Sequence, residues 1–246
     1  MRQFGLIGYP LSHSFSKKYF SDKFEREQIA QAHYELFELP TIDAFNELLI
    51  SHTNLTGLNV TIPHKQAIIP YLDALDDSAR RVGAVNVIKI EAGKKTGYNS
   101  DYFGFKQSLL NTGFGITVDT QALVLGSGGA SKAVMVALED LSVAYKVVSR
   151  KPEASNQISY QEVTPNVLAQ HQIIINTTPL GMHPHTEACP DLPYEALTSQ
   201  HLLFDLVYNP AQTLFMKKGE AQGAKAINGL EMLHLQAEKA WEIWNS

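Results

Sequence analysis

A single cysteine, Cys189, among 246 residues excludes an internal disulfide framework, so the fold must be held by packing. Lysine and arginine number 20 against 25 aspartates and glutamates, a net charge of −5. With no basic excess the chain lacks the field that a nucleic-acid binder needs, whereas a small anion requires only a local basic site. No apolar run approaches the roughly 18 residues that suggest a membrane span. The opening Met1-Arg2-Gln3-Phe4-Gly5 runs into a strand without a signal-peptide core. Repeats and low-complexity segments are missing, and no metal site is expected. The expectation is a soluble, cytoplasmic α/β protein, monomer or homodimer, that engages neither membrane nor nucleic acid. An apolar fraction of 44% is ordinary for a globular chain, and the length admits two modest domains.

What is present centres on residues 122–133. The apolar run Ala122-Leu123-Val124-Leu125 breaks into Gly126-Ser127-Gly128-Gly129-Ala130-Ser131, and Val134, Ala137, Leu138 and Leu141 then recur at helical spacing over residues 132–141. Strand, glycine turn and helix make an anion cradle. Glycines let a phosphate approach the backbone, and the free N–H groups and dipole of the helix start favour negative charge. A dinucleotide pyrophosphate fits that chemistry; a plain tight turn is the alternative, since the full G-x-G-x-x-G is absent. The next apolar run, residues 143–148, ends in Ser149-Arg150-Lys151, where an NAD-binding unit would carry a carboxylate for the ribose 2′-hydroxyl. A guanidinium there suits a 2′-phosphate, so the cofactor expected is NADP. A solvated basic turn is the competing reading.

Elsewhere, polar residues collect where strands end. Phe4 to Gly8 reads as a strand, followed by Tyr9-Pro10 and the hydroxyl-rich Leu11-Ser12-His13-Ser14-Phe15-Ser16. Ser14 or Ser16 is expected to cap the next helix, and paired hydroxyls also suit a carboxylate. His13 reads as a packed or capping histidine. Asn59-Val60-Thr61-Ile62-Pro63-His64-Lys65 is a strand carrying polar residues and stopped by proline, with Lys65 opening a helical segment at the strand's carboxyl end. Residues 73–81 read as a polar helix ended by Gly83, and residues 84–88 as a strand with one buried amide, Asn86, which must find partners in backbone or ligand. Residues 94–98 form a hairpin return, and Asn99-Ser100-Asp101 caps a helix, with N-cap the structural role open to Asp101. Residues 151–172 read as partly irregular, 173–175 and 202–208 as further strands, 213–222 as a helix, 225–227 as a short strand and 230–244 as a closing helix. Strands alternating with helices imply parallel sheets.

Taken together, residues 8–16, 59–65, 83–86, 97–101, 126–130, 176–182, 205–210 and 229–236 resemble the motifs of the shikimate dehydrogenase family over nearly the full length of the chain. Members of that family are NADPH-linked reductases of 3-dehydroshikimate on the route to chorismate and the aromatic amino acids. The resemblance implies an open α/β substrate domain over residues 1–100, a Rossmann-type NADP-binding domain over residues 101–226, a cleft between them, and a closing helix, residues 227–246, that returns to the first. It implies substrate contacts from Ser14, Ser16, Thr61, Lys65, Asn86, Asp101, Tyr208 and Gln236, with Lys65 and Asp101 as the catalytic pair. For NADP it implies Gly126, Ser127, Gly128, Gly129, Ala130, Ser149, Arg150, Lys151, Thr177, Leu206 and Gly229, with Asp77 near the nicotinamide. The chain departs from the family where Lys17 and Glu231 replace usual prolines, and by a loss of length around residues 151–170.

The chemistry gives these residues a purpose. Hydride addition to a ketone builds charge on oxygen, and a positioned proton donor typically accelerates such a step by about 10² to 10⁴. Lys65 is the donor expected, with Asp101 orienting its ammonium. A quinate dehydrogenase would carry threonine for the second serine and often an acidic residue at the nucleotide strand end; Ser16 and Arg150 speak against it. A silent NADP-binding sensor would have no need of both Lys65 and Asp101.

Overall fold

Short apolar strands, most of them followed by a helix, build two compact units: residues 1–100 with 237–246, and residues 101–236. The computed structural model describes residues 1–12 and 14–246; His13 lies outside the described residues. No helix among the described residues is long and apolar enough to cross a membrane.

The first unit runs β1 (Arg2–Gly8), α1 (Phe15–Arg26), β2 (Ala32–Glu38), α2 (Phe45–Ser51), β3 (Leu55–Val60), α3 (His64–Ala67), β4 (Ala74–Leu75), α4 (Asp77–Val82), β5 (Val87–Glu91) and β6 (Lys94–Tyr98). Its sheet has the order β2-β1-β3-β5-β6-β4. β1 pairs parallel with β2 and β3, but β5 runs antiparallel to both β3 and β6. The sheet is therefore mixed: the hairpin return expected at residues 94–98 is present, since the Ala92-Gly93 turn brings the chain back without a crossover helix, while the general expectation of parallel sheets fails here. Phe4, Leu6, Phe20, Phe24 and Trp244 fill one face, and Ile7, Phe45, Leu58 and Ile68 the other. The helix expected over residues 73–81 begins only at Asp77, where the Asp76 carboxylate caps it by accepting from Ser78 N–H at 2.9 Å. Similarly, β5 starts at Val87, so Asn86 precedes the strand.

The second unit opens with α5 (Ser100–Asn111), whose first residue still groups with the first unit. It continues through β7 (Gln121–Leu125), α6 (Gly129–Asp140), β8 (Ala144–Val148), β9 (Gln157–Ile158), α7 (Pro165–Ala169), β10 (Ile173–Asn176), β11 (Leu202–Asp205), α8 (Leu214–Glu220), β12 (Lys225–Ile227) and α9 (Leu230–Asn245). All strand pairs are parallel, in the order β12-β11-β10-β7-β8-β9. Chain order reverses between β7 and β10, which makes their carboxyl ends the topological switch point at which open α/β sheets take ligands. Ala122, Val124, Ile173, Ile175 and Phe204 pack on one face, and Leu123, Leu125, Ile174 and Leu203 on the other. Burial of both faces explains why these strands read as continuous apolar runs.

Several details of the second unit differ from the sequence expectation, among them the strand expected over residues 202–208, which ends at Asp205. α6 starts at Gly129, inside the glycine turn, because glycine accepts helical dihedrals as readily as any other. β9, within a segment read as irregular, adds a sixth strand, its two residues being too short for any periodicity. The closing helix is divided rather than wholly returned: Met232 joins the core of Phe105 and Leu109, whereas Ala237, Ala240, Ile243 and Trp244 pack with Phe4 and Phe20.

Candidate active site

In the first unit, Ser14 caps α1, its hydroxyl accepting from Ser16 N–H at 3.2 Å. Burial raises the pKa of the Tyr34 phenol, a rise that the Ser16 hydroxyl tempers. Tyr34 donates in turn to Asn59 Oδ1 at 2.7 Å. Thr61 follows β3, with its N–H on the Ile7 carbonyl at 2.9 Å. Lys65 is the second residue of α3, half-buried, and its carbonyl accepts from Val85 N–H at 2.7 Å. The preceding His64 is buried, with Nε2 2.6 Å from the Leu39 carbonyl, which pins this one-turn helix to the end of β2. The Asn86 amide finds its partners in Ser100: Oδ1 accepts from Ser100 N–H at 2.7 Å, and Nδ2 donates to Ser100 Oγ at 3.1 Å. Asp77 is exposed in the first turn of α4.

In the second unit, Asp101 lies inside the first turn of α5 and is not its N-cap, because the helix already includes Ser100. Gly126 takes φ +102°, a left-handed conformation that side chains rarely adopt. Gly128 caps α6 from its backbone alone, and a Cβ placed at Gly128 or Gly129 would meet nothing within 4 Å. The helix start therefore presents unshielded N–H groups to open space, as an anion site requires. Ala130 is exposed in the first turn. Ser127 Oγ lies 3.3 Å from Ser149 Oγ, joining the glycine turn to the end of β8. Ser149 is buried and accepts from Lys151 N–H at 3.2 Å, while the side chains of Arg150 and Lys151 are exposed. The Thr177 hydroxyl donates to the Leu125 carbonyl at 2.7 Å, closing the β10 end onto the β7 end. Gly229 sits against Leu206 so tightly that a Cβ there would overlap the Leu206 carbonyl oxygen. Tyr208 is partly exposed on the loop after β11, with burial raising its phenol pKa, and Gln236 is half-buried on α9.

A family model described as the shikimate dehydrogenase substrate binding domain matches residues 6–88. The chain is 38% identical to the NADP(+) shikimate dehydrogenase of Methanococcus maripaludis, over 98% of this chain and 90% of that one. It is also 38% identical to the NADP(+) shikimate dehydrogenase of Clostridium beijerinckii, over 99% and 92%. The chain belongs to the shikimate dehydrogenase family. Among solved structures, the shikimate 5-dehydrogenase of Thermus thermophilus in complex with NADP(H) and shikimate superposes with a TM-score of 0.87 at 30% identity, covering 99% of this chain and 93% of that one.

Sequence reasoning passed over several residues that hold these segments together. Tyr34, His64 and Ser100 are buried partners whose value lies in what they touch. Asp205 had a visible signal: it is the one charged residue in the run Leu202-Leu203-Phe204-Asp205-Leu206-Val207. Both departures from the family's prolines find partners. Lys17 pairs with Glu35 at 2.7 Å, and Glu231 accepts from Ser108 Oγ at 2.9 Å and Asn111 Nδ2 at 2.8 Å, tying α9 to α5.

Proposed function

We infer that this chain catalyses the reversible, NADPH-linked reduction of 3-dehydroshikimate to shikimate in the cytoplasm, as a monomer or homodimer. The observation that carries the reading is that a member of the shikimate dehydrogenase family keeps Lys65 and Asp101 together with a glycine turn at the switch point of a fully parallel sheet. NADPH supplies the hydride when bound. The open start of α6, and a β8 end that offers Ser149, Arg150 and Lys151 with no carboxylate, fit a pyrophosphate and a 2′-phosphate.

In this reading the first unit binds substrate, with contributions from Tyr208 and Gln236, and the second binds cofactor. Ser14, Ser16, Thr61 and Asn86 hold the carboxylate and ring hydroxyls in one pose, which converts binding energy into orientation. Lys65 delivers a proton to the developing alkoxide, and Asp101 orients the ammonium and shares its proton. Following NADP⁺ reduction spectrophotometrically with shikimate, beside quinate and NAD⁺, tests the reading. Turnover is expected with shikimate and NADP⁺; quinate turned over equally well, or no turnover at all, would refute it.

A further inference from the structure

A buried carboxylate demands an account, because taking an ionised group out of water is costly unless it is fully hydrogen-bonded. Asp205 is completely buried at the carboxyl end of β11. Its Oδ1 accepts from Asn176 Nδ2 at 2.9 Å and from Val207 N–H at 3.0 Å, and its Oδ2 from the Thr213 hydroxyl at 2.5 Å. These donors sit on three different segments: the end of β10, the loop after β11, and the cap of α8. Asn176 carries the network onward. Its Oδ1 accepts from Thr178 N–H at 3.0 Å and from the Thr178 hydroxyl at 2.7 Å, and its carbonyl accepts from Leu206 N–H at 3.0 Å. One carboxylate thereby fixes both the loop that bears Thr177 and the loop that bears Leu206 and Tyr208.

Those loops lie on a particular half of the sheet. The basic end of β8 belongs to the side that reads a 2′-phosphate, so a dinucleotide laid across the switch point places its other mononucleotide over β10, β11 and β12. We propose that Asp205 is a positioning residue for the nicotinamide end of NADP(H), setting the backbone of the Thr177 and Leu206 loops through Asn176, Val207 and Thr213. This rests on the functional reading above. An apolar residue would fill the space and leave three donors unsatisfied, while an asparagine offers one acceptor oxygen and turns an NH₂ group toward another donor.

The test compares two ligands. Asp205→Asn should weaken NADP⁺ binding at least fivefold by titration, yet leave adenosine 2′,5′-bisphosphate, which lacks the nicotinamide half, within twofold of the unmutated protein. Thr213→Val, which removes one donor and keeps the carboxylate, should show the same split should Asp205→Asn fail to fold, and Thr213→Ser should restore NADP⁺ binding. A purely structural role would lower the melting temperature without separating the ligands. NADP⁺ affinity unchanged, or both ligands weakened by one factor, overturns the assignment. The NADP⁺–shikimate assay of the unmutated protein is run first: inactivity there refutes the functional reading itself, whereas activity with no ligand split refutes only the role of Asp205.

Discussion

Asn86 and Ser100 grip each other from both ends of their polar groups, the Ser100 N–H on Asn86 Oδ1 at 2.7 Å and the Asn86 Nδ2 on Ser100 Oγ at 3.1 Å. The pair fixes the chain on the residue immediately before Asp101. An amide that stood out as needing partners thus finds one for its oxygen and one for its nitrogen, with one N–H and one lone pair left over.

Lys65 and Asp101 are expected to act as one unit. Lys65→Ala and Asp101→Ala should each lower kcat steeply, with the double variant little worse than either, because residues sharing one task are not additive. NADP⁺ binding should survive in all three. Full additivity of the two kcat losses would count against the pairing, and a rise in KM alone would make Lys65 a binding residue only.

The two serines separate. Ser14 caps α1, so Ser14→Ala should cost about 1 kcal/mol in stability. Ser16 supplies no cap to α1, and Ser16→Ala should raise KM for shikimate while leaving the NADP⁺ affinity unchanged. Parallel thermal melts and kinetics check both, and an unchanged KM in Ser16→Ala would remove it from the substrate site.

Arg150 is exposed at the end of β8, where a 2′-phosphate is expected. Arg150→Ala should weaken NADP(H) by about 1.5 to 3 kcal/mol, roughly one to two powers of ten, and barely change NAD(H). Equal efficiency with both cofactors in the unmutated protein would defeat the prediction.

Burial pushes Asp205 up to about 6 from an ordinary 3.8, against the pull of its three donors. Between those values the native protein holds a proton that the unfolded chain has released. The contribution of Asp205 to stability is thus fullest below 3.8 and is lost as pH rises to about 6. Two pKa units correspond to roughly 3 kcal/mol. The stability difference between the unmutated protein and Asp205→Asn, from urea unfolding at several pH values, should shrink across that window; curves that stay parallel would show that Asp205 does not titrate there.

Local pattern alone determined a good deal: the glycine turn, the apolar strands 122–125 and 173–175, the start of the strand read over 202–208, the closing helix, and the clusters of polar residues at strand ends that carry the family's motifs. Such features are written in neighbouring residues, through period, turn chemistry and the dihedral freedom of glycine. Sequence disclosed the hairpin of β5 and β6 but not the antiparallel course of β5 against β3, the extra strand β9, or the division of α9 between two cores, since strand order and helix partners depend on residues far apart in the chain. Nor did it show that Asp205 binds Asn176 and Thr213, that Tyr34 meets Asn59, or that Asn86 is held by Ser100. A buried polar group is costly until it is satisfied, and its partner is whichever donor or acceptor the fold brings within about 3 Å. Only tertiary structure makes that choice.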